Sequence, residues 1–236
     1  MFDWINSRKK LNLTVDIHSH LLPGLDDGVK SFDESIEILQ NLQSFGYKKV
    51  ITTPHIYPEV YPNTPAGIAE RFDILSKKIK TYGISIELEF AAEYQMDSLF
   101  LETIKSDAQL LSFGEGYVLF ETSFYSKPLI FNEVIFELQS KGYTPVFAHP
   151  ERYHYLEKDL SWLRSLHSQG VKLQVNLPSL VGAYGDGPKK TANRLLDASM
   201  VSFLGSDIHR ANQVGVLRQA LQQKIKENVL LNNSLL

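Results

Sequence analysis

Apolar strand-like runs alternate with amphipathic helical stretches along this chain, and that alternation constrains its fold more than any other feature. Strands are expected at about residues 15–20, 48–53, 84–92, 117–120, 144–148, 171–175 and 201–204. The helices between them carry their own punctuation. Ser31, with Glu34 three residues on, forms a capping box; Ile36, Ile38, Leu39, Leu42 and Phe45 follow, and Gly46 ends the first helix. Thr64-Pro65 gives the second helix an N-cap and a proline at its first position, and Gly83 ends it. Further helices are expected over about 97–106, 128–141, 159–169, 188–199 and 213–226, with a glycine-rich loop at 182–187. Seven strand-then-helix units with no break in composition imply a parallel sheet covered by helices.

The histidines and acids fall at the ends of those strands. His18-Ser19-His20 closes the first; residues i and i+2 of a strand share a side, so both imidazoles can turn to one point. Pro54-His55 follows the second strand, Glu93 the third, Glu121 the fourth, His149 the fifth and Asp207-Ile208-His209 the seventh. A Pro23-Gly24 turn brings Asp26-Asp27-Gly28 back beside the first pair. In parallel α/β folds the chemistry lies at the C-terminal strand ends. An open sheet gathers its ligands mostly at one switch point, whereas candidates after six of seven strands suit a ring. The expected fold is therefore a single α/β domain, a barrel of seven βα units over residues 14–236, preceded by an N-terminal extension, 1–13. The two remaining histidines differ: His167 lies inside a helix as a surface or packing residue, and His154 sits in a loop, in a structural role or at a substrate rim.

Composition removes alternatives. The formal net charge is −3 with no basic block, which argues against a nucleic-acid partner. No run of about 18 apolar residues exists, so no membrane span is expected. Residues 1–13 lack the apolar core of a signal peptide, and the cytoplasm is the simplest location. There is no cysteine, which excludes disulfides and thiolate metal sites. Acids and histidines gathered at one rim bury charge that calls for cations. A donor set of imidazoles and carboxylates suits manganese, iron or zinc.

In order along the chain stand Asp16-Ile17-His18-Ser19-His20, Asp26-Asp27-Gly28, Thr53-Pro54-His55, Ala92-Glu93, Phe120-Glu121, Ala148-His149-Pro150-Glu151-Arg152 and Ser206-Asp207-Ile208-His209. This set resembles the PHP (polymerase and histidinol phosphatase) superfamily. More closely, the chain resembles the bacterial manganese-dependent protein-tyrosine phosphatases of capsular and exopolysaccharide synthesis. His18-Ser19-His20 with Leu25-Asp26-Asp27-Gly28, and His149-Pro150-Glu151-Arg152-Tyr153, carry that closer likeness.

The resemblance implies a distorted (β/α)7, TIM-like barrel holding three divalent ions, manganese ahead of iron or zinc. It implies one ion at His18, His20, Glu93 and Asp207, a second at Asp27, His55 and His209, and a third at Glu121 and His149, with Glu93 bridging to the first. A metal-bound hydroxide would attack the phosphorus of phosphotyrosine, with Arg152, Asp207 and His209 in the catalytic set and Arg152 on the phosphate. A second arginine of that branch is not cleanly matched; Arg210, directly after His209, is the substitute considered. Tyr57 and Tyr61 follow His55 and can flank a phenyl ring. The partner implied is a phosphotyrosine protein, a tyrosine kinase of polysaccharide export. Other readings stay open: a histidinol-phosphate-type small-molecule phosphatase, a phosphodiesterase or nuclease of the same superfamily, and a metal-bound module without turnover. The missing basic stripe counts against a nuclease, and the completeness of the ligand set against an inert module.

Overall fold

The computed structural model describes residues 8–106, 108–156, 159–226 and 230–236. In chain order its elements are β1 (Arg8–Lys10), β2 (Val15–Asp16), α1 (Phe32–Phe45), β3 (Lys49–Thr52), β4 (His55–Ile56), α2 (Pro65–Thr81), β5 (Glu87–Phe90), β6 (Glu93–Gln95), α3 (Ser98–Lys105), β7 (Tyr117–Glu121), α4 (Phe131–Ser140), β8 (Thr144–Ala148), α5 (Ser161–Ser168), β9 (Lys172–Asn176), α6 (Leu177–Val181), α7 (Asp186–Asp197), β10 (Val201–Gly205), α8 (Val214–Ala220) and β11 (Lys224–Lys226). The N-cap signals act as read, although Glu34 closes on Lys30 N–H at 2.9 Å and not on Ser31 N–H, so the capping box is only half formed. The Ser31 hydroxyl accepts the Glu34 N–H at 3.2 Å, and that of Thr64 accepts Gly67 N–H at 3.1 Å. Gly46 takes a left-handed φ of 101° to end α1.

The chain is a single α/β domain built on parallel sheets. β2, β3 and β5 form one sheet, and β4, β6, β7, β8, β9 and β10 another. β4 continues β3 past Pro54, and β6 continues β5, so the strands pass from one sheet to the other in sequence order. The segments that follow β2 and β10 also meet. Asp207 N–H donates to His18 O at 2.8 Å, His20 N–H donates to Ile208 O at 3.0 Å, and Ser19 pairs Ile208 in parallel. A compact buried cluster includes Val15, Ile51, Leu119, Val146, Ala148 and Phe203, drawn from five strands, with Ile17 just past β2. A larger cluster, including Ile38, Leu39, Leu42, Leu75, Leu138 and Leu163, joins the helices to the outside of the sheets.

Two expectations need correction. The last helix ends at Ala220, and Lys224–Lys226 form β11, antiparallel to β1. Lys-Ile-Lys fits a strand as well as a helix end, and its partner lies some 200 residues away, beyond the reach of local pattern. The helix expected from Pro188 starts two residues earlier, at Asp186.

Residues 230–236 close the end of the sheet opposite the histidines. The fully buried Asn232 side chain donates to Val15 O at 3.1 Å and Leu204 O at 2.7 Å, and accepts Leu204 N–H at 2.9 Å. It thereby ties β2 to β10, where no backbone ladder does. Asn232→Ala leaves those backbone groups without a buried partner, and is expected to lower stability by about 2–4 kcal/mol. Urea unfolding with an unchanged m-value measures this; no change in the midpoint would mean that the amide is not the tie.

Candidate metal centre

The strand ends of one face bring the expected residues together. His18 Nε2 and His20 Nε2 lie 3.2 Å apart. Glu93 Oε2 is 3.0 Å from His18 Nε2, 3.4 Å from His20 Nε2 and 3.4 Å from His55 Nδ1, while Glu93 Oε1 is 3.1 Å from His149 Nε2. Asp207 Oδ1 lies 3.4 Å from His18 Nε2, 3.5 Å from His20 Nε2 and 3.5 Å from His209 Nδ1. Glu121 reaches His55 Nδ1 at 3.3 Å and His149 Nε2 at 3.8 Å. Asp27 comes in from the loop after β2, 3.5 Å from His55 and 3.4 Å from His209. All nine residues thus share one cluster, and all but the half-exposed Asp27 are wholly or largely buried.

The backbone is bent to present them. His149 and Asp207 adopt left-handed φ values of 33° and 50°, a conformation that costs a non-glycine residue of order 1–3 kcal/mol and gathers at functional sites. Two glycines let the chain come close. A Cβ at Gly28 would lie 2.4 Å from His20 O, and one at Gly205 would lie 2.7 Å from His18 Cβ.

Behind the cluster stands a supporting layer that sequence reasoning missed. Gln174 Oε1 sits 2.9 Å from His18 Nδ1, and an amide oxygen can only accept. The proton on Nδ1 therefore points to Gln174, and Nε2 faces inward. Asp26 Oδ2 does the same for His20, at 2.8 Å from Nδ1, and also accepts His55 N–H at 3.0 Å. Orienting a ligand imidazole through its other nitrogen is what metal sites require. Asn176 Nδ2 donates to Asp207 Oδ2 at 2.6 Å. The available signal was a polar residue inside an otherwise buried strand, Gln174 between Leu173 and Val175.

Charge is balanced within the cluster. Burial favours neutral Glu93 and Asp207, yet His18 above all holds both carboxyls well below the usual range. Burial likewise works against imidazolium, but Glu93 and Asp207 hold His18 above its ordinary value, and Asp26 holds His20 well above. Glu121 goes the other way: burial, then the Glu93 and Asp207 carboxylates, push it well up. Burial lowers His55 to about 4 and also lowers His149.

The donor set fits divalent cations. Among the described residues, imidazole and carboxylate atoms close enough to share an ion occur in four overlapping groups: His20, Asp27, His55 and His209; His18, Glu93 and His149; His18, His20 and Asp207; and His55, Glu93 and Glu121. His55 Nδ1, which faces Glu93 and Glu121, is buried with no hydrogen-bond partner, an expensive state that a ligand role relieves.

Above the cluster opens a cavity of about 730 Å³, lined in part by Asp27, His55, Tyr57, Tyr61, Glu121, Phe124, Arg152, Tyr184, His209 and Arg210. Arg152 Nη1 pairs with Asp207 Oδ2 at 3.0 Å. Tyr61 stacks on His55 with centroids 5.4 Å apart, and Tyr57 pairs with Tyr61 across a tight turn. Arg210 lines the cavity, but its Nη1 donates to Gly28 O and His209 O, so it braces the loop. His154 contacts the exposed Tyr125 ring, 5.5 Å between centroids, near the rim.

Residues 14–230 match the family described as capsular polysaccharide synthesis, CpsB/CapC, and the chain belongs to that family. It is 34% identical over 196 residues to the tyrosine-protein phosphatase YwqE of Bacillus subtilis, which spans 83% of this chain and 77% of that protein. It is 30% identical over 212 residues to the putative tyrosine-protein phosphatase CapC of Staphylococcus aureus, spanning 89% and 83%. A solved structure from work on YwqE and on CpsB of Streptococcus pneumoniae, described as unique metal-dependent tyrosine phosphatases, matches with a TM-score of 0.80 at 32% identity, over 88% of this chain and 84% of that one. A histidinol phosphate phosphatase from Lactococcus lactis shares the fold, with a TM-score of 0.52 at 15% identity, over 91% and 93%.

Proposed function

We propose that this protein is a metal-dependent protein-tyrosine phosphatase working with three divalent ions, manganese by preference. The observation that carries this is the convergence of five imidazoles and four carboxylates beneath a cavity whose wall holds an arginine. Divalent ions there, outweighing the charge of Asp27, Glu93, Glu121 and Asp207, would supply a water of lowered pKa and positive charge against the phosphate oxygens. The residues that would hold them are His18, His20, Asp27, His55, Glu93, Glu121, His149, Asp207 and His209.

The remaining side chains bind and orient. Arg152 offers a planar fork of donors suited to two phosphate oxygens at once, and its contact to Asp207 sets the fork beside the cluster. Tyr57 and Tyr61 can flank the phenyl ring of the substrate. Arg210 would have to give up its hold on Gly28 O or His209 O to reach phosphate, so it serves first as a brace. A tyrosine phenol has a pKa near 10, so it leaves with modest help. The family's capsular role points to a tyrosine kinase of polysaccharide export as partner, and to work in the cytoplasm; among the described residues no helix is long and apolar enough to cross a membrane.

A side-by-side assay of phosphotyrosine peptide, histidinol phosphate, bis-p-nitrophenyl phosphate and single-stranded DNA, with and without manganese, tests the reading. Manganese-dependent release of phosphate is expected from the phosphotyrosine peptide ahead of the others. Faster turnover of the diester or of DNA would overturn it in favour of a phosphodiesterase, and faster turnover of histidinol phosphate in favour of a small-molecule phosphatase.

A further inference from the structure

Arg152 does not reach into the cavity as a free side chain. Its guanidinium carbon lies 4.8 Å from the centre of the Phe124 ring and 4.3 Å from that of Tyr184. Both distances fall within the range of cation–π contact. One edge of the same group is held by Asp207 at 3.0 Å, and Asp207 is held in turn by Asn176 at 2.6 Å. The backbone below is short-tethered, since Arg152 N–H donates to His149 O at 2.9 Å.

Phe124 is itself pinned. Phe124 stacks on His149 at 6.0 Å and packs against Tyr153 at 5.5 Å, and its carbonyl accepts His154 N–H at 3.0 Å. Tyr184 stands between Gly182 and Gly185, whose left-handed φ values of 85° and 96° turn the chain sharply on either side of it. Tyr184 lines the cavity above the cluster. An unrestrained arginine loses considerable rotamer freedom when it grips a phosphate. Rings that already fix the guanidinium plane remove part of that cost before phosphate arrives.

We propose that Tyr184, with Phe124, is a positioning residue that holds the Arg152 guanidinium in its phosphate-binding orientation and so sets affinity for the phosphate group. This rests on the phosphatase reading above. Because the rings act through Arg152, their effect should appear in phosphate binding and vanish when Arg152 is absent.

The test compares wild type, Tyr184→Leu, Tyr184→Phe, Arg152→Ala and the Arg152→Ala/Tyr184→Leu double variant, all loaded with manganese. Three readouts are taken: metal content, KM and kcat for p-nitrophenyl phosphate, and the affinity for inorganic phosphate by calorimetry. Tyr184→Leu is expected to raise KM and weaken phosphate binding about five- to tenfold, with metal content unchanged and kcat moved less than KM. Tyr184→Phe keeps the ring face and should restore binding. In the Arg152→Ala background the leucine should add nothing. Should Tyr184→Leu fold poorly, Phe124→Leu asks the same question from the other ring. Unchanged phosphate binding in Tyr184→Leu overturns the proposal. So does an equal loss in the Arg152→Ala background, which would mean that the ring meets the ligand directly, or failure of phenylalanine to rescue. A wild type that binds phosphate but hydrolyses no phosphomonoester would instead overturn the phosphatase reading, and calorimetry would still decide the role of Tyr184.

Discussion

Glu93→Gln is expected to lower metal content and to cut hydrolysis of a phosphotyrosine substrate by about 100-fold or more. The residue is buried, and its two oxygens face four imidazoles: His18, His20 and His55 on one oxygen, His149 on the other. It is shared by two of the groups able to hold an ion, His18-Glu93-His149 and His55-Glu93-Glu121. Glutamine keeps the shape and loses the charge, so the change removes electrostatic attraction at two places without opening a hole. It also replaces one acceptor oxygen by an NH2 donor that a ligand role cannot use. Metal analysis and kinetics on the same preparation decide the matter. Full occupancy together with near wild-type turnover would remove Glu93 from the site and leave it a strand-end acid in an ion-pair network.

Much of this arrangement is legible in the sequence, for a physical reason. A strand end is marked locally, by apolar residues giving way to Pro, Gly or a polar side chain, so His18, His20, His55, Glu93, Glu121, His149 and Asp207 declare their positions one by one. Capping is equally local, and Ser31 and Thr64 act where their spacing to Glu34 and Gly67 says they should. The parts that escape reading depend on partners distant in the chain. Gln174 orients His18 across 156 positions, and Asn232 ties β2 to β10 across 217. Strand β11 reads as the end of a helix until β1 is beside it. Asp26 is a different case: its neighbour Asp27 faces the cluster from the cavity side, while Asp26 supports His20 and the backbone of His55 from behind. Two adjacent aspartates in a turn do not announce which of them faces the ions. Arg152 was placed by its motif, but its aromatic neighbours come from two loops with no shared pattern.

On the proposed function the reaction depends on divalent ions held by imidazoles and carboxylates, with no thiol in play. That dependence is tested most directly by stripping the protein with EDTA, removing the chelator, and assaying phosphotyrosine peptide before and after adding back manganese, with a parallel sample treated with a thiol-alkylating reagent. The donor set contains no cysteine, as the chain has none. Stripped protein should lose essentially all activity, manganese should restore it, and alkylation should leave the restored rate unchanged. Full-rate hydrolysis by protein shown to be metal-free would contradict the account.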